Sequence, residues 1–349
     1  GGQHTYIGRQ VGYATTTGIY NVGLGSNALF ANTTGSRNTA VGTFALDAST
    51  TANNNTAIGY QALTANSTGG NNTALGYAAL SANTTAGNNT ALGYAALNLN
   101  TTGNNNTAVG YGSLDANTVG DRNTAVGSLT LTAYAPTANE DGYNTAVGYG
   151  ALNANTTGTT NTAVGYALPS NTTAAGNTAV GHGSMEQNTT GAGNVAMGIT
   201  SLATNSTGSN NTAIGNQALQ KNTTATGNTA VGYKALEENT TGKYNVAVGF
   251  EAADDNTTGE SLTVVGYQAM SSVTTGSRNT ALGTSALRDI TTANNNTAVG
   301  TGALTANTSS GNTAVGRNAA TANTAGAGIT AVGKEALSSN TTGTNNTAV

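Results

Sequence analysis

The feature that most constrains this chain is a glycine that returns every 17 residues. It follows an aliphatic residue at Gly8, Gly25, Gly42, Gly59, Gly76, Gly93, Gly110, Gly127, Gly148, Gly165, Gly181, Gly198, Gly215, Gly232, Gly249, Gly266, Gly283, Gly300, Gly316 and Gly333. Of the nineteen intervals, sixteen are 17 residues, two are 16 (165 to 181, 300 to 316) and one is 21 (127 to 148). The unit reads N-T-A-V-G-Y-x-A-L-x-x-N-T-T-G-x-x. A 17-residue unit broken by Asn-Thr-Thr-Gly has no room for two helices of ten or more residues. The repeat therefore predicts an all-β fold, a parallel β-solenoid of about 20 coils with 17 residues per coil. At ~3.3 Å per residue a coil is roughly 50 Å around, enough for two or three short strands, and coils stacked at about 4.8 Å would make a rod on the order of 95 Å long.

One repetitive domain is expected over 1–349, with irregular coils at 128–148, which holds the insertion and Pro136, and at 166–181, which holds Pro169. Bulged or shortened loops there would spare the ladder the donor that proline lacks. Gly1 aligns with the loop glycine and Val349 with the residue before a marker glycine, so neither end reads as a polar cap. The expectation is a segment of a longer array, or the protomer of a filament.

Read in columns, the repeat assigns roles. The residue before the marker glycine is aliphatic or Met in all 21 instances, from Ile7 through Val41, Leu92, Met197 and Val265 to Val349, and is expected to form the core. Four residues after the glycine a second apolar column (Leu29, Leu46, Leu63, Leu80, Leu97, Leu114) is expected to face it across the coil. Ala stands two before the glycine in 18 of 21 coils and should give a nearly flat face, a plausible contact surface for another copy. Asn stands four before it in 18 of 21, as at Asn38, Asn55 and Asn72. A repeated amide can ladder from coil to coil, and Asn tolerates the left-handed corner conformation.

Composition narrows function. The 24 Asp, Glu, Lys and Arg residues make 7% of 349, the net charge is −4, and there is no Cys or Trp. Ten scattered Lys and Arg do not make a nucleic-acid surface, and no apolar run is long enough to insert in a membrane. His4 and His182 lie far apart in register and make neither a metal site nor a base–nucleophile pair. No catalytic triad, phosphate loop or calcium-repeat signature is present, so neither catalysis nor a cofactor is expected.

Two columns carry candidate chemistry. Tyr follows the marker glycine at Tyr60, Tyr77, Tyr94, Tyr111, Tyr149, Tyr166, Tyr233 and Tyr267, which predicts rings stacked along the axis. Such a column is either a saccharide-binding aromatic strip or a half-exposed stack that shields backbone or packs on a neighbour. The loop asparagines Asn32, Asn66, Asn83, Asn100, Asn155, Asn171, Asn188, Asn205, Asn222, Asn239, Asn256, Asn307 and Asn340 each begin an N-x-Ser/Thr sequence on an expected surface turn and are candidate glycan acceptors. Turn chemistry alone also explains Asn, Thr and Gly there. Asn54, Asn71, Asn88, Asn105, Asn210, Asn295 and Asn345 form a second set of such sequences.

The motif N-T-A-V-G-Y-x-A-L resembles the head repeats of YadA-type trimeric autotransporter adhesins, and its Asn-Thr-Ala-Val-Gly tracts look like those of phage tail-fibre shafts. The resemblance covers the whole chain and implies a left-handed parallel β-roll, three chains packed through small-residue faces, and an extracellular or virion location. The 17-residue unit and its Asn-Thr-Thr-Gly loop depart from the shorter family repeat.

The reading that accounts for most of the sequence is a structural extracellular fibre or filament shaft that self-associates as a homo-oligomer, since one Val, one Leu and a few Ala per coil bury little area against the entropy of ordering. An adhesin or glycan-binding surface using the Tyr column is the alternative. An ice-binding solenoid would need two aligned Thr columns on one face, whereas adjacent loop residues such as Thr84 and Thr85 should point to opposite sides.

Overall fold

The computed structural model describes residues 2–349 and shows a parallel β-solenoid of about 20 turns with a 17-residue repeat. The chain divides into two compact units, one ending at Gly176 and the other spanning Asn177–Val349. In the first, ten strands run from Thr5–Ile7 to Thr162–Val164, each paired in parallel with the next. The register is one coil per step: Thr39 lies beside Thr56, Ala40 beside Ala57 and Val41 beside Ile58. In the second, eleven strands run from Thr178–Val180 to Thr347–Ala348 with the same pairing. The 21-residue interval is absorbed without loss of register, because Thr124 still pairs with Thr145, and the 16-residue interval from 300 to 316 likewise leaves Thr297 beside Thr313.

Each coil holds one strand, of three residues except in the last coil where it has two, not two or three strands. The remaining residues are turns, because side chains at positive φ reverse the chain repeatedly. In one coil Arg37, Phe44 and Leu46 have φ of 59°, 59° and 51°. Each such residue costs ~1–2 kcal/mol of backbone strain. Coil-to-coil hydrogen bonds hold them there, Leu46 N donating to Ala62 O at 3.1 Å and Phe44 N to Ser26 O at 3.0 Å. The corner Asn is not itself left-handed: in the coil that follows, the φ of 60° belongs to Asn54, one residue before Asn55. The marker glycine is required by close approach, since a Cβ on Gly42 (φ 134°) would lie 2.4 Å from Gly59 O.

The core is also arranged differently from the sequence expectation. The Leu column is interior, with Leu29, Leu46, Leu63, Leu80, Leu97 and Leu114 fully buried, and the Ala before each of several of them (Ala45, Ala62, Ala79, Ala96) is buried too. The aliphatic column before the glycine is not the core. Ile58, Leu75, Leu92, Val265 and Met197 are exposed and Val41 and Val109 half-buried, while the strand Ala (Ala40, Ala57, Ala74, Ala91) faces inward and is wholly buried. Period-2 alternation forces one of the two assignments. An interior already filled by Leu from the facing turn takes the methyl group and turns the larger side chain outward. The small-residue contact face expected from Ala is therefore absent from the surface.

Candidate functional surfaces

Two asparagine ladders run through the interior. In the corner ladder a typical Asn accepts from the backbone of the next coil and donates to a loop carbonyl: Asn38 N donates to Asn21 Oδ1 at 2.8 Å, and Asn38 Nδ2 to Ala52 O at 2.8 Å. Where His4 replaces Asn, its Nδ1 accepts from Asn21 N at 3.3 Å, so this imidazole serves the ladder.

The second ladder is formed by the loop asparagines, and here the surface-turn expectation fails. Asn32, Asn66, Asn83, Asn100, Asn155, Asn171, Asn188, Asn205, Asn222, Asn239, Asn256 and Asn307 are wholly buried, and Asn340 is half-buried in the last coil. Their amides are engaged. Asn83 Nδ2 donates to Asn66 Oδ1 at 2.7 Å and to Ala86 O at 3.0 Å, Asn205 to Asn188 Oδ1 at 2.8 Å and to Gly208 O at 2.9 Å, and Asn340 to Asn323 Oδ1 at 2.9 Å. Asn32, Asn66, Asn155, Asn188 and Asn307 donate to a carbonyl of their own loop. The folded chain does not present these nitrogens to a solvent-borne reagent. Sequence carried a signal for this: Asn117 and Asn323 keep the Asn without a Ser or Thr two residues on, and both are fully buried. Where Asn is replaced, Val273 and Ile290 take the same interior position.

The loop threonines divide as adjacency predicts. Thr84 Oγ1 donates to Thr101 O of the next coil at 3.1 Å, whereas Thr85 is exposed.

The tyrosine column is a stack. Tyr60, Tyr77, Tyr94 and Tyr111 have successive ring centroids 5.4, 5.0 and 5.4 Å apart with interplanar angles of 17°, 7° and 16°. In the second unit Tyr233 and Tyr267 are joined by Phe250, which takes the place of a Tyr in the same column, at 5.1 and 5.4 Å. Tyr149 is exposed outside these two stacks and Tyr166 is half-buried. Stacking turns most ring faces toward one another, so the column offers the surrounding solvent ring edges and hydroxyls. A sugar platform uses open ring faces, and among the stacked rings these remain only at the ends of each stack.

The outward strand face is uncharged and carries one aliphatic row. Every strand presents Thr or Val at its first position and an aliphatic or Met at its third, apart from the two-residue last strand, and no strand contains a charged residue. In the first unit Ile58, Leu75 and Leu92, on successive coils, are each about two-fifths exposed, as are Val265 and Leu282 in the second.

Charged groups lie on the turns. Arg122 pairs with Asp141 and sits over the Tyr143 ring at the insertion, and Lys221 pairs with Glu238. Burial pushes the carboxyl of Asp254 up to about 7, helped by the charges of Asp255, Glu251 and Glu237, and its Oδ1 has no hydrogen-bond partner. Burial also raises Asp47 and Asp115. Inside the insertion Tyr134 fills the interior position that Asn takes elsewhere; burial, with Glu140 nearby, raises its hydroxyl to about 12. Among the described residues no three His, Cys, Asp or Glu are grouped to hold a metal ion, and no helix is long and apolar enough to cross a membrane.

No family model and no curated protein matches this sequence.

Proposed function

We propose that this chain is a structural repeat shaft that associates with further copies of itself through the outward strand face. The observation that carries the reading is the inverted core: most strands bury Ala and leave a larger Val, Leu, Ile or Met outside. Leaving the larger apolar side chain in water forgoes roughly 25 cal/mol for each Å² that a partner surface would cover. A second copy is the natural cover, because it repeats the same uncharged Thr–aliphatic rows at the same coil spacing. The resemblance to adhesin heads and phage fibre shafts supports an extracellular fibre.

Sedimentation velocity tests association. At micromolar concentration the wild-type chain is expected to sediment as an oligomer, and the triple variant Leu75→Ser, Leu92→Ser, Val109→Ser as a smaller species with unchanged circular dichroism. A monodisperse wild-type monomer would overturn the reading.

A further inference from the structure

Twenty N-x-Ser/Thr sequences occur in the chain, and the fold sorts them into two groups by the fate of the amide. The thirteen loop asparagines donate inside the ladder. The other seven, Asn54, Asn71, Asn88, Asn105, Asn210, Asn295 and Asn345, are exposed at the corner where the chain turns at positive φ. Among the described residues only Asn54 of these donates its side-chain amide within the protein, to Asn71 Oδ1 at 3.2 Å. The Thr two residues on opens the outward strand face, exposed at Thr73, Thr90 and Thr347 and half-buried at Thr56, Thr107, Thr212 and Thr297. In this group alone an exposed acceptor on the turn is followed by a recognition threonine that reaches the surface at the start of the strand.

We propose that these seven corner asparagines are the N-glycan acceptor sites of the folded chain. In the transfer, the amide Nδ2 forms a bond to the anomeric carbon of a sugar carried on a lipid pyrophosphate. The anomeric C–O bond breaks, the pyrophosphate carrier leaves, and the amide nitrogen gives up one proton. The left-handed corner holds the acceptor out from the coil. Asn54, Asn71, Asn88 and Asn105 stand on consecutive coils, at a spacing of about 4.8 Å that is narrower than a branched oligosaccharide. Adjacent sites in this row therefore exclude one another, and Asn210 and Asn295, each without an acceptor one coil away, fill first.

The test is glycosylation of the purified, folded full-length chain by a single-subunit oligosaccharyltransferase of N-x-Thr specificity with its lipid-linked donor, read by intact mass and peptide mapping. The expected result is sugar on Asn210 and Asn295, on no more than two of the four row sites per molecule, and on none of Asn66, Asn83 or Asn100. The urea-unfolded chain, as a control, should accept at both groups. Thr90→Ala should remove modification of Asn88 alone, with circular dichroism unchanged. Transfer to the buried set in the folded chain would overturn the assignment. Because a second copy on the strand face would also cover Thr73 and Thr90, the reaction is run in addition on the dissociated triple variant Leu75→Ser, Leu92→Ser, Val109→Ser, and absence of transfer to the corner set in that variant is the other result that counts against the assignment.

Discussion

The amide of Asn83 donates to Asn66 Oδ1, one coil away, at 2.7 Å and to Ala86 O, in its own loop, at 3.0 Å. One side chain thus fixes both the turn and the stacking of neighbouring coils, in a site from which water is excluded. Asn83→Asp removes both donations and leaves a carboxylate facing two acceptors. The expected loss is about 2–4 kcal/mol, read by urea unfolding. Asn88→Asp, at the exposed corner, should stay within about 0.5 kcal/mol.

That pair also marks where sequence reasoning divides. The period of 17, the parallel solenoid, the interior Leu column and the corner Asn ladder follow from the spacing of the marker glycine and from amide chemistry. Which side of the T-A-V strand faces inward does not follow, because alternation permits either side and only the width left by the facing Leu decides. The side of the loop Asn does not follow either, for a related reason: N-T-T-G is turn chemistry both for an exposed loop and for one whose first residue points inward. Only the columns in which Asn117 keeps the Asn, or Val273 replaces it, separate the two.

Ala95 has φ 52° and is half-buried, and the equivalent position in another coil is Gly112 with φ 57°. Ala95→Gly relieves a left-handed strain of ~1–2 kcal/mol against an entropy cost of roughly 0.5–1 kcal/mol. Net stabilisation of about 0.5–1 kcal/mol is expected in chemical denaturation. The neighbouring Ala96 is buried at ordinary φ, so Ala96→Gly should instead destabilise by about 1 kcal/mol.

Strand polarity is tested by a pair of adjacent substitutions. Ala91→Leu adds bulk to a filled interior and should cost about 1–3 kcal/mol or more. Leu92→Ala removes bulk from the outside, and the unfolding free energy of the dissociated chain should change by no more than about 0.5 kcal/mol. Equal losses from both would contradict the inward assignment of Ala.

Asp254 supplies a pH signature. Its folded-state carboxyl is raised to about 7 by burial and by Asp255, Glu251 and Glu237. A raised acid holds its proton more tightly when folded. Its stabilising contribution is therefore present below its unfolded value near 3.8 and is lost as pH rises toward 7. Asp254→Asn, which restores the residue type found at Asn98 and Asn153 in the same column, should raise the melting temperature at pH 8 and flatten its dependence between pH 4 and 7.

The central claim, that the outward Thr–aliphatic face is a contact surface, is tested most directly by electron cryo-microscopy of the wild-type chain as it assembles in solution. The account predicts particles of two or more copies in which Leu75, Leu92 and Val109 are covered by another copy. Single chains, or assemblies whose strand faces point into solvent, would contradict it.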